Sequence, residues 1–213
     1  FLTRYDTEFP KRFLRKRRVI AETEDRAPFE DHALIGPPYQ TIWLDLTPEL
    51  ETLRQNLHQK WRNVLNKAER QRLTTLPDWD GAALPMILKG YARDQKHKNY
   101  AGASTKFLTA LSHFTIPRQE CLGMTCLQGD RVLAAILVFI HGASATYQMG
   151  WTSREGRAVG AHNLLLWRAI ETLRHKKILD FDLGGINDHS AAGVKAFKQG
   201  LGGHEITLIG RYE

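Results

Sequence analysis

The chain has 213 residues, with 30 Lys and Arg against 23 Asp and Glu, a formal charge of +7, a pI near 9.5, 42% hydrophobic and 25% charged content. That length buries a core without staples. Two cysteines, Cys121 and Cys126, exclude a disulfide framework or a four-ligand metal site, and the longest apolar run, residues 132–140, is far short of the ~20 residues that cross a bilayer.

The basic balance favours an acidic partner, whether nucleic acid, nucleotide phosphate or anionic lipid, and it equally fits a solvated surface with no partner. Both cysteines read as reduced and structural, which suits the cytoplasm. No secretory signal is visible, and the chain begins at Phe1 rather than Met, so a fragment is expected.

Residues 1–35 contain the basic run Lys11, Arg12, Arg15, Lys16, Arg17 and Arg18, followed by Glu22, Glu24 and Asp25. The run either contacts phosphates or forms the exposed face of a connecting helix. Gly36, Pro37 and Pro38 break the chain. Residues 39–46 alternate as a strand. Thr47 as N-cap and Pro48 at the first helical position predict a helix over 48–72. Leu50, Leu53, Leu57, Trp61, Val64, Leu65 and Ala68 give it an apolar face, and Lys60, Arg62, Lys67, Arg70 and Arg72 point outward. Lys60-Trp61-Arg62 sets an aromatic between cations, which suits phosphate or base contact. Trp61 falls on the apolar stripe, however, and core packing is its expected role.

Residues 76–81 read as a loop and 84–95 as a helix. Ser104 is the N-cap of another helix through about Phe114. His97 and His113 have no partners at metal-ligand spacing and read as surface or packing histidines. Residues 121–127, 132–140 and 145–151, joined by tight turns, predict an antiparallel meander. Residues 153–160 read as a loop carrying Arg154 and Arg157, and 161–177 as a helix with Leu164, Leu165, Trp167, Ala169, Ile170 and Leu173 inside.

The stretch 179–203 organises the C-terminal part. Leu179, Phe181 and Leu183 alternate with Asp180 and Asp182 as a strand. Gly184 and Gly185 end it and let a ligand approach the backbone. Ser190 is the expected N-cap of a short helix with Val194, Phe197 and Leu201 on one stripe. Lys195 and Lys198 sit three apart on it, Lys198 at the stripe's margin, where partial desolvation makes a cation useful. Read without further context, the stretch also fits an ordinary strand-loop-helix with solvated charges. Residues 205–211 read as a last strand. The sum is a mixed α/β layout with one continuous, mostly antiparallel sheet flanked by helices, divided into a basic segment, 1–35, and a main domain, 36–213.

This order resembles the fold of the GNAT superfamily of N-acyltransferases. In that family the loop after the fourth strand binds the pyrophosphate of coenzyme A through a Q/R-x-x-G-x-G/A pattern. Arg157 and Gly160 match it here, but His162 stands at the last small position, where a side chain would crowd a phosphate. The chain is more similar to the second GNAT-like domain of the FemABX family, the aminoacyl-tRNA-dependent transferases of peptidoglycan interpeptide bridges. The matching pieces are the strand Thr41 to Leu46, Lys60-Trp61-Arg62, Lys67-Ala68-Glu69, Asp182-Leu183-Gly184-Gly185, Gly193-Val194, Phe197-Lys198 and Gly202-Gly203.

The resemblance implies amide formation by attack of an amine, carried by a phosphate-bearing cell-wall precursor, on the aminoacyl ester of a charged tRNA. It implies no cofactor; coenzyme A enters only in the alternative acyl-CoA reading, and a non-catalytic RNA-binding or membrane-binding module is the second alternative. Lys198 is implied as oxyanion stabiliser or phosphate holder, and Asp182 either orients the amine or caps the glycine turn. Arg154, Arg157, Gly184, Gly185 and Lys195 are implied in substrate binding, and Lys60, Arg62, Lys67 and Arg70, with the 11–18 run, in tRNA contact. Transient membrane-surface contact without a transmembrane segment is expected. Full-length members carry two such domains, so residues 1–35 read as the remnant of a first.

Overall fold

The computed structural model describes residues 19–21, 24–30, 33–36, 38–100, 102–186 and 192–212. The basic run at 11–18 and the Ser190 cap lie outside them. Strands β1 (Val19–Ala21) and β2 (Leu34–Gly36) precede β3 (Gln40–Asp45). Helices α1 (Leu50–Asn56) and α2 (Gln59–Glu69) then lead to β4 (Thr74–Asp78), α3 (Leu84–Lys98) and α4 (Thr105–Thr115). The meander β5 (Cys121–Gln128), β6 (Arg131–His141) and β7 (Ser144–Thr152) follows. Next come α5 (Arg154–Val159), α6 (Ala161–His175), β8 (Asp180–Asp182), α7 (Ala192–Gln199), β9 (His204–Thr207) and β10 (Gly210–Tyr212).

The main sheet has seven strands in the order β4-β5-β6-β7-β8-β3-β9. All neighbours are antiparallel except β7 and β8, which run parallel with Thr146 opposite Asp182. β6 lies inside the sheet, between β5 and β7. Its continuous apolar run is buried on both faces, as expected of a strand covered by two layers. On one face Ala134, Ile136, Val138 and Ile140 meet Trp61 and Leu65 of α2 and Leu165 and Leu173 of α6. On the other, Ala135, Leu137 and Phe139 meet Ile87 and Tyr91 of α3 and Leu108 of α4.

The meander, the Ser104 cap (Oγ accepts from Phe107 N, 3.2 Å) and the α6 helix form as the sequence predicts. Other elements differ. The helix expected over 48–72 is two helices: Leu57 turns extended and the His58 N–H is taken by Gly200 O at 2.9 Å. Thr47 does not cap α1, whose N-cap residue is Glu49; its own N–H donates to Asp45 Oδ1. The loop expected at 76–81 begins as the edge strand β4, where Pro77 costs no ladder bond that a central strand would need. The loop expected at 153–160 is α5, capped by Ser153 Oγ accepting from Gly156 N at 2.9 Å. Leu179, expected inside, is exposed, as is Val194.

The sheet is not continuous. The predicted last strand divides at Leu208-Ile209: β9 pairs with β3, while β10 joins β1 and β2 in a separate three-stranded sheet. Tyr212 is buried there against Phe29, ring centroids 5.0 Å apart. No helix among the described residues is long and apolar enough to cross a membrane. Cys121 and Cys126 are free and buried, and burial raises both thiols, Cys126 to about 11, so both are inert at neutral pH.

Candidate active site

The parallel pair stops being a pair after Thr146 and Asp182. β8 ends there, while β7 continues to Thr152 and changes register against β6: Leu137 faces Met149 and Val138 faces Tyr147, leaving Gln148 as the extra residue of a bulge. A bulge bends the strand that carries it, so β7 turns from the line of β8. The chain beyond β8 and the end of α7 fill the resulting opening. Gly184 holds φ +75, a left-handed conformation that a side chain disfavours, and a Cβ there would lie 3.0 Å from Tyr147 O and 3.5 Å from Lys198 Nζ. Asp182 stabilises this turn: its Oδ1 accepts from Gly184 N at 2.8 Å and from the hydroxyl of Thr41 on β3.

Lys198 enters from α7. It is 8% exposed, and its Nζ donates to Gly185 O at 2.9 Å and lies 5.8 Å from the Tyr147 ring centroid. Burial lowers its pKa from 10.5 to about 8, partly opposed by the carboxylate of Asp182. The ammonium is therefore largely charged at pH 7 yet poorly solvated, the state in which a cation acts most strongly on a developing negative charge. Beside it, His162 at the start of α6 shares a 3.0 Å hydrogen bond with the Tyr147 hydroxyl and packs edge-on against Phe197. Burial lowers His162 to about 4, with the Trp151 main chain opposing, and raises the Tyr147 phenol. Both are neutral at pH 7. The arrangement can stabilise an oxyanion or hold a phosphate. Among the described residues it presents no Ser or Cys nucleophile and no metal-binding group of three His, Cys, Asp or Glu.

The Lys198 shift has a stability consequence. Between about pH 8 and 10.5 the unfolded chain keeps the lysine proton and the folded chain does not, so this group makes stability rise with pH across that window. At about 1.4 kcal/mol per pH unit the gain is on the order of 3 kcal/mol. If the cation is the working form, activity falls over the same range. Urea melts and initial rates from pH 7 to about 10 should show these opposite trends; stability that does not rise would dissociate Lys198 from the first trend, and rates that do not fall would dissociate it from the second.

Asp182, Gly184, Gly185 and Lys198 thus converge. Lys195 does not join them: its Nζ pairs with Glu205 Oε1 on β9 at 2.8 Å. Arg154 and Arg157 are exposed on α5, just past the end of β7, and Arg157 donates to Thr152 O at 3.2 Å. On α2, Lys60 is exposed and Arg62 donates to Gln55 O. Lys67 and Arg70, with Asn63, Asn66 and Gln71, line an open surface pocket of about 310 Å³. Lys67 Nζ also donates to Ala158 O at 3.2 Å. His162 does not crowd the segment before α6, since its ring packs inward. α2 crowds it instead: a Cβ on Gly160, which has φ +73, would lie 2.8 Å from Val64 Cγ1 and 3.1 Å from Val64 O. Trp61 is buried, its ring 5.9 Å from that of Phe197. Sequence reasoning did not single out Tyr147 or assign Thr41 a site role, because each reads as an ordinary strand residue.

A splayed parallel pair in a mostly antiparallel sheet, with a charged group held in the opening, is the architecture of a GNAT-type domain. The sequence profile of the acetyltransferase (GNAT) domain family matches residues 52–199, and the chain belongs to that family. Among solved structures it is similar to FemX, with a TM-score of 0.69 at 12% identity over 86% of this chain and 62% of that one. It is similar to L-PGS from Bacillus licheniformis, with a TM-score of 0.58 at 12% identity over 90% of this chain and 65% of that one. It is also similar to a tandem GNAT protein from the clavulanic acid biosynthesis pathway, with a TM-score of 0.54 at 17% identity over 90% and 58%. The chain spans less than two thirds of each of these proteins. No curated protein sequence matches it.

Proposed function

We propose that this domain transfers an aminoacyl group from charged tRNA to an amine, forming an amide, with a phosphate-bearing peptidoglycan precursor as acceptor. The observation that carries the reading is the buried Lys198 ammonium at the opening between β7 and β8. The amine lone pair attacks the ester carbonyl carbon, and the carbonyl π electrons move to oxygen, facing Lys198 Nζ. Collapse breaks the bond to the ribose oxygen, which takes up the proton lost by the amine. The products are an amide and uncharged tRNA. An ester is already activated, so no covalent enzyme intermediate is required; positioning and charge stabilisation suffice.

Asp182 holds the glycine turn and orients the amine. Gly184 and Gly185 let the substrate approach the backbone, and Arg154 and Arg157 hold the acceptor's phosphate in bidentate fashion. Lys195, paired with Glu205, keeps α7 against β9. Lys60, Arg62, Lys67 and Arg70 track the tRNA backbone, so affinity should fall steeply with salt. Such a reaction belongs in the cytoplasm, where charged tRNA resides. The likeness of the fold to FemX supports the reading.

The decisive experiment offers a panel of charged tRNAs and acyl-CoAs with a soluble cell-wall precursor and reads product masses. An amide made only from charged tRNA is expected; an amide made only from acyl-CoA would overturn the proposal, and binding without any product would leave a non-catalytic module. The rival acyl-CoA reading rests on Arg157 and Gly160. Because α2 covers Gly160, titration calorimetry is expected to detect no coenzyme A binding, and saturable heat would count against the tRNA donor.

A further inference from the structure

We infer that the outward face of α4 is a docking surface for an anionic lipid bilayer. α4 packs inward through Leu108, Ser112 and Thr115, all buried. The opposite face of such a helix is ordinarily polar. Here Phe107 and Phe114 are 55% and 60% exposed, with exposed Ala110 between them and Leu111, half-buried against the core, at the inner edge. These positions are spaced i, i+3, i+4 and i+7, a single stripe. One exposed phenylalanine needs no explanation; two on one stripe, with apolar residues between, make a patch.

The charge around the stripe selects its partner. Residues 95–119 contain no Asp or Glu and carry the cations Lys96, Lys98, Lys106 and Arg118, of which Lys98 is paired with Asp94. Lys106 and His113 lie seven apart on one flank of the stripe. The Arg118 guanidinium sits 3.9 Å from the Phe114 ring centroid, joining cation and aromatic in one surface. The neighbouring acids are engaged or, like Asp80 and Glu120, lie past the C-terminal end of α4. Asp94 pairs with Lys98 at 2.8 Å, and Asp78 accepts from the N–H groups of Gly81, Ala82 and Ala83. Asp80 lies beyond the C-terminal end of α4, beside Trp79, whose carbonyl accepts from Gln119. Aromatic rings flanked by cations suit the headgroup boundary of an anionic membrane. A second copy would bring two cationic rims together. The stripe is also on the opposite side of the sheet from α2, so a bilayer there leaves the α2 cations open.

Co-sedimentation of the full chain with vesicles tests this. Binding is expected to vesicles of equal parts phosphatidylcholine and phosphatidylglycerol, weakening with salt, and much less to phosphatidylcholine alone. F107S/F114S should lower the partition coefficient about tenfold or more, and K106E/R118E should remove the preference for phosphatidylglycerol. Both variants change exposed side chains, and circular dichroism checks that they fold. Both should keep wild-type transfer to a soluble acceptor, which separates failure here from failure of the aminoacyl reading. Unchanged sedimentation of F107S/F114S, equal binding to both vesicle types, or a dimer by light scattering that F107S/F114S dissociates would each overturn the proposal.

Discussion

Lys198→Ala is expected to lower turnover by about 10² to 10³, the loss typical of removing one preorganised oxyanion partner, with little change in substrate KM. The residue sits at the end of a short helix, and its ammonium contributes one hydrogen bond to Gly185 O while carrying the cost of being buried. Removing it relieves that cost and leaves a main-chain carbonyl to be satisfied by water, so the fold should survive. Lys198→Met, of similar length and uncharged, should fall as far as Lys198→Ala, because charge and not volume is what the reaction uses. Lys198→Arg keeps a cation that does not titrate below pH 12, so whatever activity it retains should lose the decline above pH 8. Single-turnover transfer from charged tRNA, compared across the three variants, is the measurement. Wild-type rates in Lys198→Met would remove the ammonium from the mechanism.

Trp61→Ala is expected to destabilise the domain by about 3–5 kcal/mol, the usual cost of emptying a large aromatic site. Trp61 is 5% exposed and reaches from α2 to the Phe197 ring and to Gly200, where a Cβ would lie 2.6 Å from its Cδ1. The indole N–H has no hydrogen-bond partner among the described residues, so packing holds the side chain in place. Trp61→Phe keeps the aromatic contact and removes an unsatisfied donor, and should cost much less than Trp61→Ala. Because Phe197 precedes Lys198, Trp61→Ala should also loosen the ammonium and lower transfer even where the chain remains folded. Urea melts give the stability order. If Trp61 served base stacking instead, the variant would lose tRNA affinity at unchanged stability.

The Lys60-Trp61-Arg62 triplet shows how far local pattern reaches. Helical periodicity alone assigned Trp61 to the core, and its burial agrees. Periodicity did not reveal the break at Leu57-His58, since neither residue is a helix breaker. The break exists because Gly200, about 140 residues away, takes the His58 N–H. β4 was hidden for a related reason: Thr74, Thr75 and Pro77 make a polar edge strand, which pairing with β5 stabilises without an apolar signal.

Around the candidate site, the sequence alone supplied Asp182, the paired glycines and a lysine beside an apolar stripe, because glycine conformation, alternation and helical spacing are local properties. It supplied the class of fold too, through the order of strongly periodic segments. Only the tertiary structure decided which cation lies in the opening. Lys195 and Lys198 are equivalent in composition and three residues apart, yet one meets Glu205 and the other is buried beside Asp182 and Gly185. It also brought Thr41, Tyr147 and His162, from three distant stretches, to the same opening. The physical reason is that desolvation and hydrogen-bond partnership depend on what other segments cover. A chain's local spacing determines which face a side chain occupies, and the packing of the rest of the molecule determines whether that face meets water, a carboxylate or a carbonyl.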